Sequence, residues 1–211
     1  MDGSFPLVFA AVVGFGHAFE ADHLLAVSNI VTKRNSVLKA AKDGIAWGLG
    51  HTSMILGIGG MLILGKVSVT AAVFHYFEAG VGLMLMVLGI YRIAKIVLGK
   101  TLHTHTHTDH THDGNHSHGL AYGVGLIHGL AGSGALVLLV MSQIPQQWNA
   151  LAYLLIFGMG SIVGMFLASG VFSLPFSRNF SRYKFLQTSL ALISSVMCVG
   201  FGLRVIIENL F

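Results

Sequence analysis

Long apolar stretches separated by short polar segments dominate this chain. Six of them, residues 6–27, 44–64, 71–98, 120–141, 150–174 and 185–207, each reach about the 20 residues that a helix needs to cross the hydrocarbon core. None carries the polar stripe at helical period that a helix on a water-facing surface would show. The pattern predicts an all-α integral membrane protein with six transmembrane helices. Composition agrees, since 54% of the 211 residues are hydrophobic and 9% are charged, where a soluble domain carries about 25% charged residues. The first stretch lacks a basic leader and a small-residue cleavage site, so it is expected to stay as a permanent span.

The formal charge of +4 and the pI near 9.4 change meaning once the basic residues are placed. Lys33, Arg34, Lys39 and Lys42 follow the first span, Arg92, Lys95 and Lys100 end the third, and Arg178, Arg182 and Lys184 precede the sixth. Only Lys66 follows the second span, and no Lys or Arg follows the fourth. This alternation fits the positive-inside rule with both termini outside, and it argues for a lipid bilayer, not nucleic acid, as the partner of the basic charge. Cys198 is the single cysteine and lies within the sixth span, where a buried, inert thiol is expected.

The two halves resemble each other. Gly14-Phe15-Gly16-His17 aligns with Gly125-Leu126-Ile127-His128, Ala21-Asp22 with Gly132-Ser133, Gly48-Leu49-Gly50-His51 with Gly158-Met159-Gly160-Ser161, and Arg92 with Arg204, at offsets of 110 to 112 residues. Three spans per half is an odd number, so the halves should cross the membrane in opposite senses. A 3+3 inverted repeat is therefore expected, as in many secondary transporters. Residues 1–100 would form the first repeat, 101–118 a His-rich cytoplasmic loop, and 119–211 the second repeat.

Span one carries His17, Glu20, Asp22 and His23 within seven residues. A single Asp at a helix centre costs about 2.5–3.5 kcal/mol on insertion scales, so such a cluster points to function. On an intact helix His17 and Asp22 would lie about 140° apart and His17 and His23 about 120° apart, too far round to share one small ion. A break is therefore expected, and Gly14 and Gly16 are the residues placed to loosen the helix. His51 follows Gly48 and Gly50 in span two, and His128 follows Gly123 and Gly125 in span four. Imidazole and carboxylate without a thiolate cluster suit Ni, Co, Zn or Fe(II). Glu78 in span three is a further candidate for a ligand or proton carrier. Between spans three and four, His103, His105, His107, His110, His112, His116 and His118 fall within sixteen residues, a composition that suits a labile metal store and cannot form a core.

The run from His17 to His23 resembles the His-x-x-x-x-Asp-His signature of the nickel/cobalt transporter (NiCoT/NicO) family. Gly50-His51-Thr52 is similar to its second motif, and His128-Gly129-Leu130-Ala131-Gly132-Ser133 resembles a segment of the shorter urease-accessory permease branch. The resemblance implies uptake of Ni2+ or Co2+ as cargo, no tightly bound cofactor, and metal recognition by His17, Asp22, His23 and His51. Gly16 stands where longer members often have Arg, Glu20 where they have Asp, and six spans replace eight. Asp22, which related exporters tend to lack, favours uptake over export.

The expected function is thus a nickel or cobalt importer that takes its ion through His17, Glu20, Asp22, His23, His51 and His128 and hands it to cytoplasmic metallochaperones. An exporter is the alternative within the class. A membrane-embedded metal-dependent hydrolase using Ser28 or Ser133 is the alternative outside it.

Overall fold

The structure, a computed structural model, describes residues 4–31, 36–65, 71–98, 115–131, 134–177 and 184–211. These residues form eight α-helices: α1 (Ser4–His17), α2 (Ala21–Val31), α3 (Val37–Gly65), α4 (Ala71–Leu98), α5 (Asn115–Ala131), α6 (Gly134–Gln143), α7 (Gln147–Ser173) and α8 (Lys184–Leu210). A 3-10 turn at Leu174–Phe176 follows α7, where Pro175 removes a backbone donor. Among the described residues no strand occurs. Four helices, α3, α4, α7 and α8, are long and apolar enough to cross a membrane, and the bent pair α1–α2 makes a fifth if it is one span. The expected stretch 120–141 is divided between α5 and α6, each too short to cross alone by the same measure, and Gly132 and Ser133 between them lie outside the described residues.

The break in the first span is present, but the glycines do not make it. The axes on either side differ by 54°, and the turn falls at Ala18–Phe19–Glu20. There the Phe19 N–H donates to the Gly16 carbonyl at 2.9 Å and the Glu20 N–H to that of His17 at 3.1 Å. These are the i to i−3 bonds of a tightened helix end. The helix restarts when the Leu24 N–H donates to the Glu20 carbonyl at 3.0 Å, with Asp22 in the first turn of α2. Acid at that position is favoured by the positive end of the helix dipole.

Gly14 serves close approach instead. A Cβ built there would overlap the Phe157 carbonyl of α7, and one on Gly160 would overlap that of Ala11. In the same way Gly125 of α5 lies on the Trp47 carbonyl of α3, and Gly50 on that of Tyr122. Contacts advance together along α1 and α7, and along α3 and α5, so each pair runs parallel. By contrast, Gly44 meets Met165 and Ser169 while Gly59 meets Leu154, which makes α3 and α7 antiparallel. It follows that α1 and α5 run in opposite directions. In the outer pair, Gly82 meets Gly202 and Gly89 meets Ser195, so α4 and α8 are also antiparallel.

Two apolar clusters close the bundle. One joins Val27, Val31, Ala40, Trp47, Leu85 and Cys198, whose thiol donates to the Leu85 carbonyl at 3.3 Å. The other joins Ala10, Ile55, Leu62, Leu154 and Phe157.

If backbone contact sets the helix spacing, Gly125→Ala should lose about 1–3 kcal/mol of stability by overpacking. Gly123→Ala, where a Cβ would meet nothing within 4 Å, should be neutral or slightly stabilising. Thermal melts of the two purified variants in detergent check the contrast.

Candidate metal centre

Four imidazoles converge where α1 ends, α2 begins and α3 and α5 pass. His17 is the last residue of α1, His23 lies in the first turn of α2, His51 is near the middle of α3, and His128 is in the last turn of α5. All four are buried, and His23, His51 and His128 have no solvent exposure. The glycines beside them explain the convergence. Gly50 lets α5 approach next to His51, Gly129 packs on the His51 carbonyl beside His128, and Gly48 admits Ile162 of α7. Thr52 fixes the register from the other side, its hydroxyl donating to the Gly158 carbonyl at 3.1 Å. Ser161 does the same for α1, donating to the Gly14 carbonyl at 3.0 Å.

The turn at residues 18–20 removes the angular problem posed by an unbroken helix. The His17 and His23 rings now lie 4.5 Å apart, His17 and His51 5.2 Å, His23 and His51 5.3 Å, and His23 and His128 4.6 Å. Two triads result, His17–His23–His51 and Asp22–His23–His128, each with its donor atoms within 4.8 Å of one another. His23 belongs to both. Opposite ligands on one ion with bonds of about 2.1 Å stand about 4.2 Å apart, so a small contraction would close either triad on a metal.

Asp22 organises the cluster. Its Oδ1 accepts from the His23 backbone N–H at 2.8 Å and lies 3.0 Å from His23 Nδ1, while its Oδ2 is 3.6 Å from His128 Nε2. A carboxylate so placed orients imidazole ligands and supplies negative charge against a cation. Six buried ring nitrogens make no hydrogen bond: Nε2 of His17 and His23, and both nitrogens of His51 and His128. Buried polar atoms are nearly always paired, because an unpaired one costs about 1–3 kcal/mol. A neutral imidazole offers one lone pair and one N–H, so the four rings supply four lone pairs at this buried centre, a donor set that suits a borderline transition metal.

The residues expected in the path are thus brought together, apart from two qualifications of place. Glu20 Oε1 lies 2.9 Å from His17 Nδ1, but the Glu20 side chain is 57% exposed and stands outside both triads. Glu78, half-buried on α4, joins neither. His103, His105, His107, His110 and His112 lie outside the described residues. Within the expected loop 101–118, α5 begins at Asn115 and holds His116 and His118 in its first turns. His118 pairs with Asp43 of α3, with Nδ1 and Oδ1 2.7 Å apart. Ser28, one serine of the hydrolase alternative, donates its hydroxyl to the Leu25 carbonyl at 2.8 Å, and Ser133 is outside the described residues.

Trp47 was not expected in the site. Its ring stacks on His23 at 5.4 Å and meets His128 edge-on at 5.5 Å, with the indole N–H unpaired. The spacing holds the signal, since Trp47 precedes His51 by four residues and therefore shares its helix face.

Fold and site together define a multi-pass, all-helical membrane protein built round a buried histidine–carboxylate centre. The chain is 33% identical to the urease accessory protein UreH of Bacillus sp. (strain TB-90) over 211 aligned residues, spanning 94% of this chain and 89% of that protein. It belongs to the UreH family of urease accessory proteins. No family model matches the chain, and no solved structure does.

Trp47 offers a direct optical test of the centre. In a Trp148→Phe variant, which leaves Trp47 as the sole tryptophan, Ni2+ should quench the emission saturably. His23→Ala should abolish the high-affinity phase of that quenching, whereas Glu20→Gln should preserve it. Fluorescence titration of the purified proteins measures both.

Proposed function

We propose that the chain imports a divalent first-row transition metal, nickel foremost, into the cell. The observation that carries this reading is the group of four buried imidazoles, with Asp22 beside them and six unpaired ring nitrogens, at the middle of an apolar bundle. Nickel is favoured by the donor set and by the relative, whose name ties it to urease, a nickel enzyme. Uptake is favoured by Asp22 and by the electrical gradient. Moving a charge through 100 mV is worth about 2.3 kcal/mol, so a divalent ion gains about 4.6 kcal/mol on entering a negative interior.

In this reading α5 and α6 form the sixth crossing, and the chain is a 3+3 inverted repeat. The opposed directions of α1 and α5 support it, as do the matched glycine contacts: Gly14 on Phe157 corresponds to Gly125 on Trp47, and Gly160 on Ala11 to Gly50 on Tyr122, at the sequence offsets of 110 and 111 residues. The end of the bundle bearing Lys39, Lys42, Arg92 and Lys95 is cytoplasmic, both chain termini are outside, and the His-rich segment stores metal inside. An arriving ion would exchange water for His17, His23 and His51, with Asp22 and His128 completing its shell. Rocking of the halves would then open the centre to the cytoplasm, where metallochaperones accept the ion.

Radiolabelled nickel uptake into proteoliposomes tests the function. His17→Ala, Asp22→Ala and His23→Ala should each reduce uptake by more than about 100-fold, the upper end of what an outer-shell change costs. The proteins should remain folded, and deletion of residues 101–117 should leave uptake measurable. Normal uptake by folded His17→Ala and Asp22→Ala proteins would overturn the assignment.

Orientation is tested separately by cysteine labelling in a Cys198→Ala background. Cysteines at Ser68 and Gln146 should react from outside, and those at Ser36, Thr106 and Ser181 only after permeabilisation. Labelling of Ser36 with protection of Ser68 would reverse the orientation and place the His-rich segment outside.

A further inference from the structure

The seam between α3 and α5 carries a second polar pair away from the histidine centre. Asp43, on the second turn of α3, is 2% exposed, and its Oδ1 lies 2.7 Å from Nδ1 of His118, whose side chain is 41% exposed. Asp43, Trp47 and His51 are spaced four residues apart on one face of α3. At a rise of 1.5 Å per residue, Asp43 stands about 12 Å along the axis from His51, and His118 about 15 Å from His128. The parallel packing of α3 on α5 keeps both pairs in one seam, and Trp47, a single turn from Asp43 and from His51, lies between them.

Two features set this pair apart from an ordinary surface ion pair. Among the described residues Asp43 is the only carboxylate at the end of the bundle that carries Lys39 and Lys42, and both lysines are exposed to solvent. An almost fully buried carboxylate there is aligned with the imidazole of α5. At 2.7 Å the two atoms stand at hydrogen-bonding distance, and an opening to about 3.0 Å would let both hold one metal at about 2.1 Å and 90°.

We infer that Asp43 and His118 form a second, outlying binding station for the same class of divalent metal, separated from the histidine centre by Trp47. The inference rests on the transport reading above. On binding, the ion takes the place between Oδ1 and Nδ1, the Nδ1 proton is given up to water while Nε2 takes one from water so that His118 stays a neutral imidazole, and water completes the coordination. One carboxylate and one imidazole hold an ion more weakly than the four-histidine centre. That ordering suits a station through which ions pass on the side of the basic residues. The indole of Trp47 would keep the two ions from sharing one open channel.

The test is the Ni2+ stoichiometry, by equilibrium dialysis, of full-length protein in which His103, His105, His107, His110, His112 and His116 are replaced by Ala. This background should bind two Ni2+ per chain. Asp43→Asn or His118→Ala should bind one, His23→Ala should bind one, and His23→Ala with His118→Ala none. His118 is exposed enough that its substitution tests the station even if Asp43→Asn fails to fold. Two ions retained by His118→Ala, or a single ion in the background that is lost only with His23→Ala, would overturn the station and leave the centre intact. A single ion lost with His118→Ala but kept in His23→Ala would instead overturn the centre and leave the station.

Discussion

Helices approach only as closely as the side chains between them allow, and at the middle of this protein those side chains are missing. Gly14, Gly50, Gly125, Gly129 and Gly160 each place backbone against the carbonyl of a neighbouring helix. Imidazole is a short ligand arm. Without these contacts α1, α3 and α5 would stand too far apart for His17, His51 and His128 to gather round His23. In a membrane there is little hydrophobic force between helices, so small residues and the dispersion contacts they permit hold the bundle. Apolar clusters on either side of the polar layer then exclude water from the imidazoles. The same packing that assembles the ligands therefore strengthens their electrostatic interaction with a cation.

Much of this was legible in the sequence because the bilayer imposes simple rules. Long apolar runs foretold α4, α7 and α8 nearly to their ends, and α3 apart from its first two turns, and the cost of burying His17, Asp22, His23, His51 and His128 marked them as a group. Geometry required a break in the first span, and there is one. Its position was misjudged, because glycine has two uses that sequence alone does not separate. Gly14 provides contact with α7, while the turn at Ala18–Glu20 follows from local i to i−3 bonds in a segment without glycine. The His-rich run also hid a helix start. Composition places His116 and His118 with the polar segment, whereas packing against α3 carries α5 back to Asn115. Asp43 went unmarked because beside Lys39 and Lys42 it looks like an ordinary interfacial charge. Its partner is 75 residues away and visible only in three dimensions.

The two halves use corresponding positions differently. On the proposed repeat, His51 aligns with Ser161 and His17 with His128. His51 faces the histidine centre with its ring nitrogens unbonded, while the Ser161 hydroxyl bonds the Gly14 carbonyl and clips α7 to α1. The first half thus supplies His17, Asp22, His23 and His51, and the second supplies His128 with helix surfaces against which those ligands are held.

That asymmetry bears on how a tightly held ion could leave. A metal bound by ligands on one rigid helix would have to break every bond at once. Here His17 ends α1, whereas Asp22 and His23 begin α2, and the three residues between form a 54° turn. A change of angle there separates His17 from His23 while the Asp22–His23 unit stays together. His51 is held to α7 through Thr52, and His128 to α3 through Gly129, so the remaining ligands belong to a different packed group. Stepwise release along this division needs no ligand to leave its helix, only the two groups to move apart. The turn at Ala18–Glu20 lies on the boundary between them.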